Sequence, residues 1–291
     1  MNFSKKKRPS LNEILTPSFW VKLSTQKEGV SPFLKKDFWE LIASDYDALE
    51  ETPFYRAMQE DIISEMEKRG ALQREFTFFD VACGTGNYTI KIAPKVSKVY
   101  ALDISPAMLN LLREKMKKAN INNVEIIEAD WRKYQPERTF DTVFVSMTPI
   151  LRDLKEVKRL FDIAEKFLII VSWAGLRKNL LLEEIERKFF RGNKGDKNPG
   201  ILLIFNYFYT LGCPGDVKFY EGIFERKSTL EKIWTRFKFR LTSKGYKISK
   251  VKERQIIEFL KEKEKNGYIE TKTQVRIGAM FIHKEKKEEV L

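Results

Sequence analysis

Hydrophobic spacing divides the chain near residues 30, 70 and 173. Residues 1–30 are polar and basic, with Phe19 and Trp20 among scattered apolar positions and no sustained period, so they read as a partly ordered arm. Ser31-Pro32 places proline at a first helical position, and a helix is expected over Phe33 to Leu49 with Phe38, Leu41, Ile42 and Tyr46 on one face. Thr52-Pro53 opens a second amphipathic helix to about Arg69, which Gly70 can cap. The pattern then changes to short apolar runs at Phe76–Val81, Lys98–Leu102, Val124–Ile127, Phe140–Ser146 and Lys166–Ser172, with helices predicted at Tyr88–Ala93, Pro106–Asn120 and Leu151–Ala164 between them. Strands alternating with helices are the sequence form of a parallel sheet covered on both faces.

Beyond Trp173 the spacing is helical over Lys178–Arg191 and Ile201–Leu211, on either side of a polar loop rich in glycine and asparagine. A strand is expected over Val217–Arg226, two basic helices over Thr229–Lys244 and Ser249–Lys265, and a closing strand near Thr273–His283.

Composition narrows the chemistry. With 43% hydrophobic and 33% charged residues in 291, the chain can bury a sizeable core. Two cysteines and one histidine argue against a disulfide framework and histidine-based metal chemistry, so no metal is expected. No run of about 18 apolar residues exists, and the basic start lacks an apolar stretch behind it, so a cytoplasmic protein without a membrane span is expected. The net charge of +13 is unevenly spread: residues 176–291 carry 27 Lys/Arg against 16 Asp/Glu, whereas residues 41–175 carry 19 against 21. A basic final third fits either an anion-binding surface or a solvated Lys- and Glu-rich one.

The densest chemical signal is Asp80-Val81-Ala82-Cys83-Gly84-Thr85-Gly86-Asn87. A buried strand ends in an acid and runs through two glycines, one residue apart, into a helix; such a turn lets backbone approach a ligand closely. No third glycine follows, so the turn departs from the dinucleotide fingerprint. The next strand ends in Leu102-Asp103-Ile104-Ser105, the third in Glu128-Ala129-Asp130-Trp131, and the fourth in Ser146-Met147-Thr148-Pro149. Four successive strand ends thus carry polar groups, where an open α/β sheet binds ligands.

These residues resemble the class I S-adenosylmethionine-dependent methyltransferases over roughly residues 33–172. The implied fold is α/β: a Rossmann-like doubly wound sheet, mostly parallel with an antiparallel closing strand, plus a helical cap. The implied organisation is a basic arm (1–30), N-terminal helices with the cofactor-binding core (31–175), and a cap with closing strands that complete the same domain (176–291). By the resemblance, Asp80, Ala82, Gly84 and Gly86 lie at the methionine part, Asp103 and Ile104 at the ribose, Asp130 and Trp131 at the adenine with Met108 beneath it. Ser146 would stand at the fourth strand end, and Tyr46, beside Asp47, over the cofactor. For Met108, Trp131 and Tyr46 a simple core position is an equal alternative. The implied product is S-adenosylhomocysteine.

The acceptor is less legible. The fourth strand end lacks the Asn/Asp-Pro-Pro-aromatic set of enzymes that methylate amino groups of bases or glutamine, and no cysteine pair suits cytosine chemistry. Positioning alone can drive methyl transfer, with Tyr46, Tyr88 and Asp141 as candidate bases. Phe205, Tyr207, Phe208 and Tyr209 form a candidate aromatic lid, and Arg226, Lys227, Arg236, Lys238 and Arg240 a candidate phosphate groove. A small-molecule acceptor is the leading expectation, with RNA as the alternative and a non-catalytic cofactor-binding protein as the third. The sequence does not set the oligomeric state.

Overall fold

The structure, a computed structural model, describes residues 9–25, 36, 39–40, 43, 52–190 and 200–284. Its first elements are α1 (Leu11–Ile14) and α2 (Pro17–Thr25), then α3 (Pro53–Lys68) and β1 (Thr77–Val81). The core continues through α4 (Asn87–Ile92), β2 (Lys98–Asp103), α5 (Pro106–Lys118), β3 (Val124–Glu128), β4 (Phe140–Ser146), α6 (Leu154–Ile163) and β5 (Ala164–Asn179). The last third holds α7 (Leu180–Phe189), α8 (Ile201–Thr210), β6 (Asp216–Ser228), α9 (Leu230–Ser243), α10 (Lys250–Glu262) and β7 (Ile269–His283).

Seven strands form one sheet in the order β3-β2-β1-β4-β5-β7-β6. Strands β1 to β5 pair in parallel, while β7 runs antiparallel to both β5 and β6, so it is the closing antiparallel strand that the sequence led us to expect. The chain leaves β1 toward β2 and β3 and later returns on its other side with β4. The crevice between β1 and β4 is therefore the topological switch point, where doubly wound sheets take ligands.

The central strands read as continuous apolar runs because both faces are covered. Phe78, Phe144, Ile169 and Val171 pack on one face with Met58, Ile62 and Met66 of α3. Their neighbours Phe79, Val143, Val145, Leu168 and Ile170 pack on the other with Leu154, Val157 and Leu160 of α6 and Ile204 and Phe208 of α8. Helix starts follow local chemistry: Pro53 and Pro106 occupy first-turn positions, and the Thr52 and Ser105 hydroxyls accept from the amides of Tyr55 and Met108.

Several expectations shift. Residues 11–25 are helical, and the Ser10 capping box plus packing of Trp20 and Val21 on the sheet's second face replace the arm expected there. The helix expected over Leu151–Ala164 is split: a 3-10 turn spans Pro149–Arg152, and Asp153 then caps α6 by accepting from Lys155 N at 2.9 Å. β5 runs seven residues past Ser172, its pairing with β7 shifting between Trp173 and Arg177, and the helix expected from Lys178 starts only after Asn179 caps α7. Together with the far ends of β6 and β7, this extension carries α7, α9 and α10, whose Ile185, Trp234, Phe237, Leu241 and Phe259 share a separate apolar cluster. The cap thus rises from the sheet edge that bears the C-terminal ends of β1 and β4.

Candidate active site

Two cavities meet at that edge. One, about 60 Å³, is lined by Gly84, Asp103, Ile104, Met108, Asp130 and Trp131 among others. The second, about 230 Å³, extends from Asp80 and Asn87 under the cap to Arg177, Arg226 and Arg236. Trp39, Ala82, Ser146, Met147 and Thr148 line both.

The β1 turn is shaped by backbone. Ala82, Gly84 and Gly86 have φ of 59°, 57° and 78°, the left-handed region that glycine enters freely and alanine only at a cost. At Gly86 a Cβ would also meet Leu112 Cδ1 at 2.2 Å. Met147, one residue past β4, has φ of 55°. Non-glycine residues in left-handed backbone thus stand at both strand ends that share the cavities, a form of strain that collects at functional sites.

Around this turn the carboxylates are held individually. Asp103 accepts from Gly84 N through Oδ2 and from Ser105 N through Oδ1, both at 2.9 Å. Burial pushes its carboxyl above the usual range; amide bonds from Ser105, Gly84 and Ile104 oppose this and Glu40 adds to it. Asp80 is only 2% exposed and accepts from Thr89 Oγ1 at 2.6 Å. Burial pushes it up to about 7, with the Thr89 bond opposing and Asp103 adding. Asp130 grips Arg132, whose Nη2 lies 2.6 Å from Oδ2; partial burial acts against ionisation, yet the Arg132 bonds hold its carboxyl below the ordinary range.

Most of the cofactor-side residues expected from sequence converge here: Asp80, Ala82 and Ser146 line the larger cavity, and Ala82, Gly84, Asp103, Ile104, Met108, Asp130, Trp131 and Ser146 the smaller. Gly86 shapes the turn from behind, packed toward Leu112. Met108 and Trp131 belong to both alternatives at once, each lining the cavity while almost fully buried. Tyr46 and Asp47 lie outside the described residues. Of the candidate bases, Tyr88 lines the larger cavity, whereas Asp141 does not reach it. Asp141 opens β4, about 16 Å of strand from Ser146 at the usual rise, and there accepts from Thr77 N at 2.9 Å and pairs with Lys166 at 2.8 Å. Its place is structural.

The acceptor expectations need a larger correction. Phe205, Tyr207 and Phe208 on α8 pack with Trp20, Phe161 and Leu211 on the far face of the sheet, and neither they nor Tyr209 line either cavity. The apolar lining is instead Tyr55, Trp173, Phe224 and Phe237. Sequence reasoning also missed Trp39, Glu40, Met147, Thr148, Arg152 and Arg177. Glu40 Oε1 accepts from Ser105 Oγ at 2.8 Å, bracing the start of α5. Met147 and Thr148 had been quoted as part of the fourth strand end without a role of their own, and a positive φ leaves no mark in a one-letter pattern.

Residues 78–168, which contain all four strand ends, match the model of a methyltransferase domain family. This segment carries a methyltransferase domain. Over 78 residues the chain is 35% identical to malonyl-[acyl-carrier protein] O-methyltransferase 1 of Ilyobacter polytropus, covering 26% of this chain and 28% of that protein. Over 114 residues it is 30% identical to demethylmenaquinone methyltransferase of Geobacillus stearothermophilus, covering 37% and 47%. The chain thus spans less than half the length of either curated relative. Among solved structures, the N-methyltransferase NodS of Bradyrhizobium japonicum with S-adenosylhomocysteine superposes with a TM-score of 0.49 at 11% identity, over 86% of this chain and 98% of that one.

The cofactor of such domains, S-adenosylmethionine, suits what the methyltransferase domain presents. The Trp131 indole N–H, on a side chain 2% exposed, has no acceptor among the described residues although Trp131 lines the smaller cavity. Asp103 lines the same cavity and, beyond its bonds from Gly84 N and Ser105 N, offers further lone pairs. No helix among the described residues is long and apolar enough to cross a membrane.

Proposed function

We propose that this protein is a methyltransferase that moves the methyl group of S-adenosylmethionine to a small-molecule acceptor. The observation that carries the reading is the junction of the two cavities at Ala82, Ser146, Met147 and Thr148. The smaller cavity suits adenosine: Asp103 would accept from the ribose hydroxyls, Ile104, Met108 and Trp131 would enclose the base, and Asp130, steadied by Arg132, would face its amino group. Asp80 and Asn87 begin the larger cavity and would hold the methionine part. When bound, the cofactor supplies an electrophilic methyl: an acceptor lone pair forms the new bond to carbon while the carbon–sulfur pair moves to sulfur, leaving S-adenosylhomocysteine.

The chain's own contribution is placement. A cap built from β5, β6, α9 and β7 encloses the acceptor against the β1–β4 ends, and alignment of this kind can supply about 7–11 kcal/mol in well-oriented systems. Tyr88, one of the candidate bases, lines the same chamber. Of the residues expected in a phosphate groove, Arg226, Arg236 and Arg240 line this cavity and Lys227 and Lys238 do not.

The test is to incubate the protein with methyl-labelled S-adenosylmethionine and a cell extract, then divide the label among small-molecule, RNA and protein pools. Protein-dependent label in the small-molecule pool is expected. Label confined to RNase-sensitive material would reverse the reading, and no transfer to any pool would favour a non-catalytic cofactor-binding protein.

A further inference from the structure

Two opposite charges hold the β1 turn. Asp103 accepts from Gly84 N, and the Lys115 ammonium donates to Thr85 Oγ1 at 3.2 Å and to Asn87 Oδ1 at 2.6 Å. Thr85 Oγ1 donates in turn to Asn87 Oδ1 at 2.8 Å, so three side chains converge on one amide oxygen. Thr85 and Asn87 are both buried, Asn87 as the first residue of α4. Lys115 reaches this point selectively. It stands three residues after Leu112, the residue packed toward Gly86, so the two share the face of α5 that meets the glycine turn. Arg113, Lys117 and Lys118 on the same helix are exposed, whereas Lys115 is half-buried.

Chemistry decides which way the Asn87 amide faces. An ammonium carries donors and no acceptor, so the amide atom that meets Lys115 is the oxygen, and the NH2 group is turned away from it. Nδ2 has no acceptor among the described residues and, unlike Trp131 Nε1, it is not sealed from open space. Asn87 lines the larger cavity, so two N–H groups are offered there. Asp80, which accepts from Thr89 Oγ1, lines the same cavity from the end of β1. A carboxylate and an amide donor pair thus come from one strand-turn-helix segment, the complement of the ammonium and carboxylate of an amino acid. Without a donor at Lys115 the amide is free to turn over and present its oxygen, which repels a carboxylate.

We propose that Lys115 is a positioning residue for the amino-acid end of the cofactor: by holding Asn87 Oδ1 it turns Asn87 Nδ2 toward the α-carboxylate of S-adenosylmethionine. This deepens the methyltransferase reading and rests on it, since it takes the β1 end of the larger cavity as the seat of the methionine part. Lys115 acts through Asn87 and not by contact with the cofactor. A ligand that keeps the adenosine and the amine but lacks the carboxylate loses this interaction alone.

The experiment is calorimetric titration of the full-length protein with three ligands: S-adenosylhomocysteine, its decarboxylated analogue that keeps the amine, and methylthioadenosine, which lacks the whole amino-acid end. The wild type should bind S-adenosylhomocysteine about tenfold or more tightly than the decarboxylated analogue. Asn87→Asp keeps the shape and the Lys115 contact but sets a carboxylate against the ligand's own; its affinity for S-adenosylhomocysteine should fall about tenfold or more. Lys115→Met, which keeps the stem and removes the donor, should lower the same affinity about threefold or more. Both variants should bind methylthioadenosine within about twofold of wild type, a selectivity that a merely structural role would not produce. Where Lys115→Met does not fold, Lys115→Gln answers the same question, and the preference for the carboxylate should shrink about threefold or more. Equal wild-type binding of S-adenosylhomocysteine and its decarboxylated analogue would overturn the proposal. So would an unchanged preference in the Lys115 variant, or an equal loss for all three ligands. If the wild type binds S-adenosylhomocysteine and methylthioadenosine but these differences are missing, only the role of Lys115 falls. If it binds neither, the methyltransferase reading falls with it.

Discussion

The two cavities that meet at Ala82 and Met147 are made in opposite ways. The smaller is local: Ala82, Gly84, Asp103, Ile104, Asp130 and Trp131 lie within three residues of a strand end, and backbone amides fix the Asp103 carboxylate. The larger is assembled at long range, from residues as far apart as Tyr55 and Thr273, on a sheet extension and a helical cap. The first is set by backbone conformation that few side chains can replace. The second is set by side chains brought together from several elements, and it is the part proposed here to hold the acceptor.

That contrast can be broken most forcefully at Asp103. Asp103→Ala removes the acceptor proposed for the ribose hydroxyls and leaves the Gly84 and Ser105 amides without theirs; with each hydrogen bond to a charged group worth about 1.5–3 kcal/mol, cofactor affinity should fall about 100-fold or more. Titration with S-adenosylhomocysteine checks it, and Asp103→Asn, which keeps one acceptor oxygen, should lose less. Gly86→Ala attacks the same turn through sterics: with φ at 78° and Leu112 at 2.2 Å from the new Cβ, stability should drop by about 1–3 kcal/mol in urea unfolding, with weaker cofactor binding alongside.

A subtler probe is pH. Because Asp80 is raised to about 7 in the folded protein, the native state holds a proton that the unfolded chain has released above about 4. Stability of the cofactor-free protein should therefore decline as pH rises from about 4 to about 7 and level off above. Affinity for the cationic cofactor should instead rise toward pH 7, where Asp80 ionises, by up to about tenfold per unit below it. Asp80→Asn should flatten both profiles. The smallest effect belongs to the other end of the sheet. Asp141→Asn should lower stability by about 1–2 kcal/mol through its Lys166 and Thr77 contacts and leave kcat for methyl transfer unchanged.

Legibility in the sequence followed the same division. The β-α alternation, the glycine turn and the acids at strand ends are each written in consecutive residues, so the core emerged with boundaries a few residues short, as at β5 and β7, and most residues expected at the cofactor line the two cavities. The cap did not. The aromatic run Phe205–Tyr209 has the composition of a binding lid, but the helix that carries it is drawn to the far face of the sheet by Trp20 and Phe161, partners distant in sequence. The basic run 226–240 reads as one patch because sequence does not say which way β6 and α9 turn their side chains. Only the packing of Ile233 and Phe237 against the cap core separates its arginines from its lysines. Asp141 already stood at the start of the fourth strand in the sequence, and the parallel pairing of β1 and β4 puts that end away from both cavities.

The most direct measurement is equilibrium binding of S-adenosylmethionine to the wild-type protein, Asp103→Ala and Arg236→Gln, side by side. The expected result is one site per chain, lost or weakened about 100-fold in Asp103→Ala and nearly unchanged in Arg236→Gln. Equal binding by wild type and Asp103→Ala, or an equal loss in both variants, would contradict a cofactor cavity distinct from an arginine-lined acceptor chamber.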